Sequence, residues 1–122
     1  MENRDTPALG EGDIPITIDG EDFVLKPSFQ AASQLSRQQG GIMGSIERLV
    51  KLDVDTIMQV ITVGLGYGGN RPLPREMPER IWLTGFTDDS GGIVDKCVQY
   101  LRVLANGGRA LNKSAGANPP GS

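Results

Sequence analysis

Apolar and polar positions alternate from Asp13 onward. Ile14, Ile16 and Ile18 are separated by Pro15 and Thr17, and Phe23-Val24-Leu25 follows the dipeptide Asp19-Gly20. A period of two marks a strand with one buried face, and Asp-Gly is a favoured tight turn. The stretch predicts a β-hairpin. Pro15 has no N–H to give a ladder, which places its strand at an edge. A lone hairpin is marginal in water, so this one has to pack on something.

The period then becomes helical. Pro27 is expected to open a first helix through "SFQAASQLSRQQ", with Phe29, Ala32 and Leu35 on one face and Gly40-Gly41 as its stop. Ile42, Ile46, Leu49 and Val50 predict the stripe of a second helix, with Glu47 and Arg48 pointing outward. Asp53 is the expected N-cap of a third, because its carboxylate can accept the free N–H groups of a first turn. Val54, Ile57, Met58, Ile61 and Leu65 recur along that helix, and Gly66 or Gly68 is expected to end it. Pro78 is predicted at the first position of a short fourth helix, "PERIWLTG". Ser90 is the expected cap of a last helix with Ile93, Val94, Cys97, Val98, Leu101 and Leu104 on its apolar face, stopped at Asn106-Gly107.

The predicted fold is therefore α+β, mostly α: an N-terminal β-hairpin followed by about five short helices in a small bundle. Residues 1–12 read as a flexible N-terminal arm, 13–107 as a single domain, and the polar segment 108–122 as a disordered C-terminal tail.

Composition narrows the function. The 122 residues suit one domain, and a hydrophobic share of only 38% fits a chain that is not packed throughout. The net charge is −3, and the 12 Lys and Arg are not clustered. Binding to a phosphate backbone needs such clusters, so no nucleic-acid partner is expected. There is no histidine and a single cysteine. That removes an internal disulfide, the commonest general base and the commonest metal ligand. No enzyme, cofactor or metal site is expected. No run approaches the roughly 18 apolar residues of a membrane span, and the N-terminus lacks the apolar core of a signal peptide.

Four features compete for a functional reading. Gly64, Gly66 and Gly69 stand in G-x-G-x-x-G spacing, with Asp88-Asp89 about 20 residues on, as in a dinucleotide-binding loop. Such a loop must follow a strand and open a helix. Here the preceding segment has helical spacing, and Pro72, Pro74 and Pro78 forbid a helix after it. The expected role of these glycines is a helix stop and a hinge-like loop. Asp88-Asp89-Ser90 supplies too few oxygen ligands for calcium and reads as an N-cap cluster. Cys97 on an apolar face reads as a small buried hydrophobe. Trp82 and Phe86, crowded by Met77, Ile81 and Leu83, read either as core or as an exposed aromatic and methionine anchor. The candidate wall of a protein-binding groove is Met77, Ile81, Trp82 and Phe86, with Leu65 and Tyr67 nearby.

The order of these segments resembles the tail assembly chaperones of long-tailed phages, nearest the branch found in gene-transfer-agent-like clusters. The likeness is carried by "ITIDGEDFVLKP", the helix "SFQAASQLSRQQG", a short I-x-x-L helix, a helix ending in "VGLG" and the last helix "IVDKCVQYLRVLANG", over about residues 13–107. Family members usually carry acids in the first helix where this chain has Gln34 and Ser36. The resemblance implies a non-enzymatic protein that coats the tape-measure protein and helps recruit tail-tube protein around it. It implies action in the host bacterial cytoplasm and absence from the mature particle. Self-association is a separate expectation: the edge strand of the hairpin offers a route to sheet extension between copies, which Pro15 opposes. Two alternatives stay open: a structural tail-completion or tube-associated component of the particle, and a small phage-encoded inhibitor of a host protein.

Overall fold

The computed structural model of the protein describes residues 10–68, 70–87 and 92–110. Strands β1 (Ile14–Ile18) and β2 (Glu21–Leu25) form a two-stranded antiparallel sheet, with Ile18 opposite Glu21 and Ile14 opposite Leu25. Asp19 and Gly20 turn between them at φ 53° and 79°, the left-handed pair that matches the twist of a tight hairpin. Five helices follow: α1 (Phe29–Ser36), α2 (Gly41–Val50), α3 (Val54–Gly64), α4 (Met77–Thr84) and α5 (Gly92–Ala105). This is the α+β, mostly helical architecture that the chain's periodicity predicts.

The hairpin lays its apolar face on α5. Ile14, Ile16 and Ile18 are buried while Pro15 and Thr17 between them are exposed. Helix α5 also touches α1, α2 and α3, so it forms the floor of the core. Its buried face includes Ile93, Val94, Cys97, Leu101 and Leu104, as expected, and adds Tyr100 and Val103. Tyr100 is fully buried because its hydroxyl donates to the Lys26 carbonyl at 2.7 Å. The ring adds apolar area and the polar end is satisfied.

Several local expectations change. Pro27 precedes α1, and Ser28 caps it, accepting the Ala31 N–H at 2.9 Å. The buried row is then Ala31 and Leu35, one turn apart, with Ala32 half-buried. Phe29 lies on the far side and is 87% exposed. Gly40 serves as the N-cap of α2, α1 having already ended at Ser36. In α2 the buried row is Ser45 and Leu49, which leaves Ile42 and Ile46 half-buried and turns Val50 out to solvent. Arg48 points inward, not outward. Its guanidinium donates to the Gln39 carbonyl at 2.6 Å, to Ser45 Oγ at 3.0 Å and to Thr56 Oγ1 at 3.1 Å. Asp53 sits at the N-cap position of α3 but makes no capping bond with its side chain. Its carboxylate accepts the Thr56 hydroxyl at 2.6 Å instead, with Arg48 3.9 Å away. Two polar residues thus take buried places beside Leu49, and Val54 is left partly exposed.

Three helices end on the same double hydrogen bond, in which a left-handed residue turns the chain back. In α3 that residue is Gly66, at φ 87°: its N–H donates to the Val63 carbonyl, and the next N–H, of Tyr67, to the Thr62 carbonyl. Helix α5 ends likewise through Gly107 and Gly108. Helix α2 does so through Leu52, at φ 62°, with Leu52 and Asp53 donating to Leu49 and Arg48. A leucine there carries a strain that glycine avoids, on the order of 1 kcal/mol.

Gly64 has a different task. A Cβ built on it lies 2.8 Å from Leu25 Cδ2, and its carbonyl accepts the Lys26 N–H at 2.9 Å. The end of α3 therefore rests directly on the end of β2. Close packing extends past the predicted domain limits: Gly12 meets the backbone of Gly108, and a Cβ on Gly12 would overlap the Gly108 carbonyl oxygen. Composition alone cannot see a contact between two glycines 96 positions apart. The Ser90 cap, the Asp88-Asp89 pair, Gly69, most of the predicted arm and most of the predicted tail lie outside the described residues.

Two substitutions test this account. Leu52→Gly is expected to raise stability by about 0.5–1 kcal/mol in urea melts of dilute protein, by releasing the left-handed strain. Gly64→Ala gains up to about 1 kcal/mol of helix propensity but overpacks Leu25, so a net loss of about 1 kcal/mol is expected. In a Leu25→Ala background the same change should become neutral or stabilising.

Candidate functional site

Helix α4 is two turns long, and its sides have different duties. Met77 and Ile81 are buried, 3% and 0% exposed. Arg80 and Thr84 flank them on the helix and both reach the hairpin turn. Arg80 bonds Glu21 at 2.8 Å and Asp19 at 3.2 Å, and its guanidinium lies 5.9 Å from the centroid of the Phe23 ring. Glu21 and then Asp19 pull its pKa upward, so the cation is fixed. Thr84 Oγ1 accepts the Asp19 N–H at 2.6 Å. Trp82 and Leu83 fall on the opposite side, 62% and 60% exposed.

The six predicted groove residues are therefore not assembled into one groove. Met77 and Ile81 belong to the core. Leu65 and Phe86 are half-buried and pack against it. The Phe86 carbonyl also accepts the Val94 N–H at 2.9 Å, which ties this residue to the start of α5. Tyr67 lies beneath the Arg71 guanidinium, which is 5.2 Å from the ring centroid. It lines a cavity of about 480 Å³ between α1 and the loop after α3, together with Gln30, Gln34 and Asn70. Only Trp82 is an exposed anchor of the kind proposed for the groove. The loop is not a free joint either, since Gly68 and Arg71 bridge it by paired backbone hydrogen bonds and α4 is bound to the hairpin turn.

Sequence reasoning passes over Arg80, takes Leu83 only as a neighbour of Trp82 and Phe86, and puts Phe29 on the apolar face of α1. In α4 the apolar residues 77, 81, 82 and 83 cover both sides of a two-turn helix, so periodicity does not choose between them. Arg80 carries one local clue: on the helical wheel it lies about 60° from Met77, on the side away from Ile81, so it borders the buried face.

Burial holds two groups, Cys97 and Tyr100, in their protonated forms. Burial pushes the Cys97 thiol up from its ordinary 9.0 to about 12. Burial first, and the Asp13 charge second, push the Tyr100 hydroxyl up from 10.0. Among the described residues no cluster of three or more His, Cys, Asp and Glu is placed to hold a metal. No described helix is long and apolar enough to cross a membrane.

These shifts fix the pH dependence of stability. Below pH 9 the folded and unfolded chains both keep the Cys97 proton. Above it the unfolded chain loses the proton while the folded chain retains it to about 12, so stability falls as pH rises through that window. The expected slope is about 1.4 kcal/mol per pH unit. Denaturation midpoints should be flat from about pH 6.5 to 8.5 and then drop. In Cys97→Ala the drop should begin about one unit higher, where Tyr100 starts to titrate in the unfolded chain.

No protein-family model matches the chain, and no curated protein or solved structure matches it.

Proposed function

We propose that this protein is a non-enzymatic tail assembly chaperone of a phage or gene transfer agent, covering the tape-measure protein while tail-tube subunits gather around it. Two things support the reading. One is the order of the hairpin and helix motifs across residues 13–107, which resembles that family. The other is the observation that carries the mechanism: Trp82 and Leu83 stand in solvent on a helix whose opposite side is locked to the hairpin by Arg80 and Thr84. An exposed tryptophan beside a leucine is costly to leave in water and is the commonest kind of interface anchor.

The mechanism is transient cover. An amphipathic segment of the client lays its apolar side on Trp82 and Leu83, which are presented rigidly and so lose little freedom on binding. The client is shed as its surface becomes covered by tube subunits. The protein works in the host bacterial cytoplasm and leaves the assembled particle.

Trp82→Ala with Leu83→Ala is the direct test, because neither side chain supports the core. Phe86 is left intact, since it packs against the core. Co-expression with the tape-measure gene should give soluble complex with wild type, and binding weakened about 30-fold or more with the double variant. Unchanged binding by a folded double variant would overturn the assignment to this face. Mass spectrometry of purified particles separates the structural alternative: the protein present at fixed copy number would exclude a shed chaperone.

A further inference from the structure

Helix α2 carries a second exposed apolar strip, far in sequence from Trp82 and made of different residues. Met43, Glu47 and Val50 recur at helical spacing on the side opposite the buried Ser45 and Leu49. Met43 is 70% exposed and Val50 68%. Just past the helix end, Leu52 and Val54 are 45% and 43% exposed. Four large apolar side chains within 12 positions are more than the scattered surface hydrophobe that any protein shows. Leu52 adds a second oddity, since it is held in the left-handed region where glycine would sit without strain.

The charges on this strip say what it fits. Arg48 and Asp53 are engaged with each other and with Thr56, Ser45 and Gln39 inside the fold. Glu47 and Lys51 are exposed, and among the described residues they pair only with each other, at 3.9 Å. The acid thus lies toward the Met43 end and the base toward the Val50–Val54 end. A strip with one acid and one base in that order is complementary to itself when turned around. Antiparallel to a copy of itself, it sets Glu47 beside Lys51 of the second copy, twice over, and lays Met43 toward Val54.

We propose that a second copy of this chain docks on the outer face of α2, in a two-fold antiparallel pairing of Met43, Val50, Leu52 and Val54 closed by two Glu47–Lys51 pairs. A two-fold axis uses the same patch on both copies, so the assembly stops at a dimer. The patch is small for a permanent interface, so the dimer is one that forms and parts with concentration. It leaves Trp82 and Leu83 free, and a client meets two such anchors for each dimer.

Sedimentation of the full chain over a micromolar to millimolar series should show the mass rising toward that of a dimer. Glu47→Lys sets lysine against lysine and should weaken association about tenfold. Glu47→Lys with Lys51→Glu restores the complementarity and should restore the dimer. Leu52→Gly, which relieves strain in the fold, should weaken association while the protein melts no earlier. Trp82→Ala should leave it unchanged, which separates this face from the client face. A mass fixed at the monomer throughout, or equal association of Glu47→Lys and the double swap, overturns the proposal.

Discussion

A two-stranded sheet cannot bury its own apolar face, and most of this fold follows from how that face is covered. Ile14, Ile16, Ile18 and Leu25 are buried only because other elements lie on them, α5 chief among these. Once α5 is the floor, α1, α2 and α3 can be short, since each needs only to reach it. Tyr100 joins the two layers through a single hydrogen bond to Lys26, at the point where the chain leaves β2. Gly64 sets the other limit, because any side chain there would lift α3 off Leu25.

Polar contacts then fix what apolar packing leaves free. Arg48 reads three places at once: the carbonyl of Gln39 before α2, Ser45 within it, and Thr56 in α3. Arg80 does the same for α4 and the hairpin turn, through Asp19 and Glu21. Exposed ion pairs contribute little to stability. These two arginines are less than a third exposed and bond several partners, so their value lies in fixing the angle between short elements. Arg48 thus holds α2 against α3 with Met43 and Val50 exposed, and Arg80 holds α4 against the hairpin turn with Trp82 and Leu83 exposed.

How much of this was legible depended on whether the signal was local. The hairpin was legible because alternation and Asp19-Gly20 act within a dozen residues. Helices α3 and α5 were legible because an apolar face repeats over three turns or more. Helices α1, α2 and α4 were located but turned wrongly in part. Two to three turns do not fix a face, so the pattern alone puts Phe29 and Val50 on apolar stripes and leaves Met77 and Ile81 open between core and groove wall. Arg48 turns inward to Thr56, eight positions away, which no local pattern announces; Tyr100 falls on the apolar stripe of α5, but Lys26, which satisfies its hydroxyl, is 74 positions away. The candidate site follows its helix: α4 holds Met77 and Ile81 in the core and Trp82 at the surface, residues that one apolar pattern does not separate.

The glycine spacing that first suggests a nucleotide shows the same physics from the other side. A phosphate cradle uses the positive end of a helix, where free N–H groups face the anion. Here the glycines stand at the opposite end. Gly64 is the last residue of α3 and Gly66 is the left-handed turn after it, so α3 directs its carbonyl end toward this loop. The free backbone groups at such an end are acceptors, and the partial charge is negative, so a pyrophosphate would be repelled. The same two glycines are fully accounted for by contacts within the fold: Gly64 by Leu25 and Lys26, Gly66 by Val63. A motif defined only by spacing is satisfied equally by a helix start and a helix stop. What separates them is the direction of the helix dipole, which the apolar run before Gly64 and the prolines after it already encode.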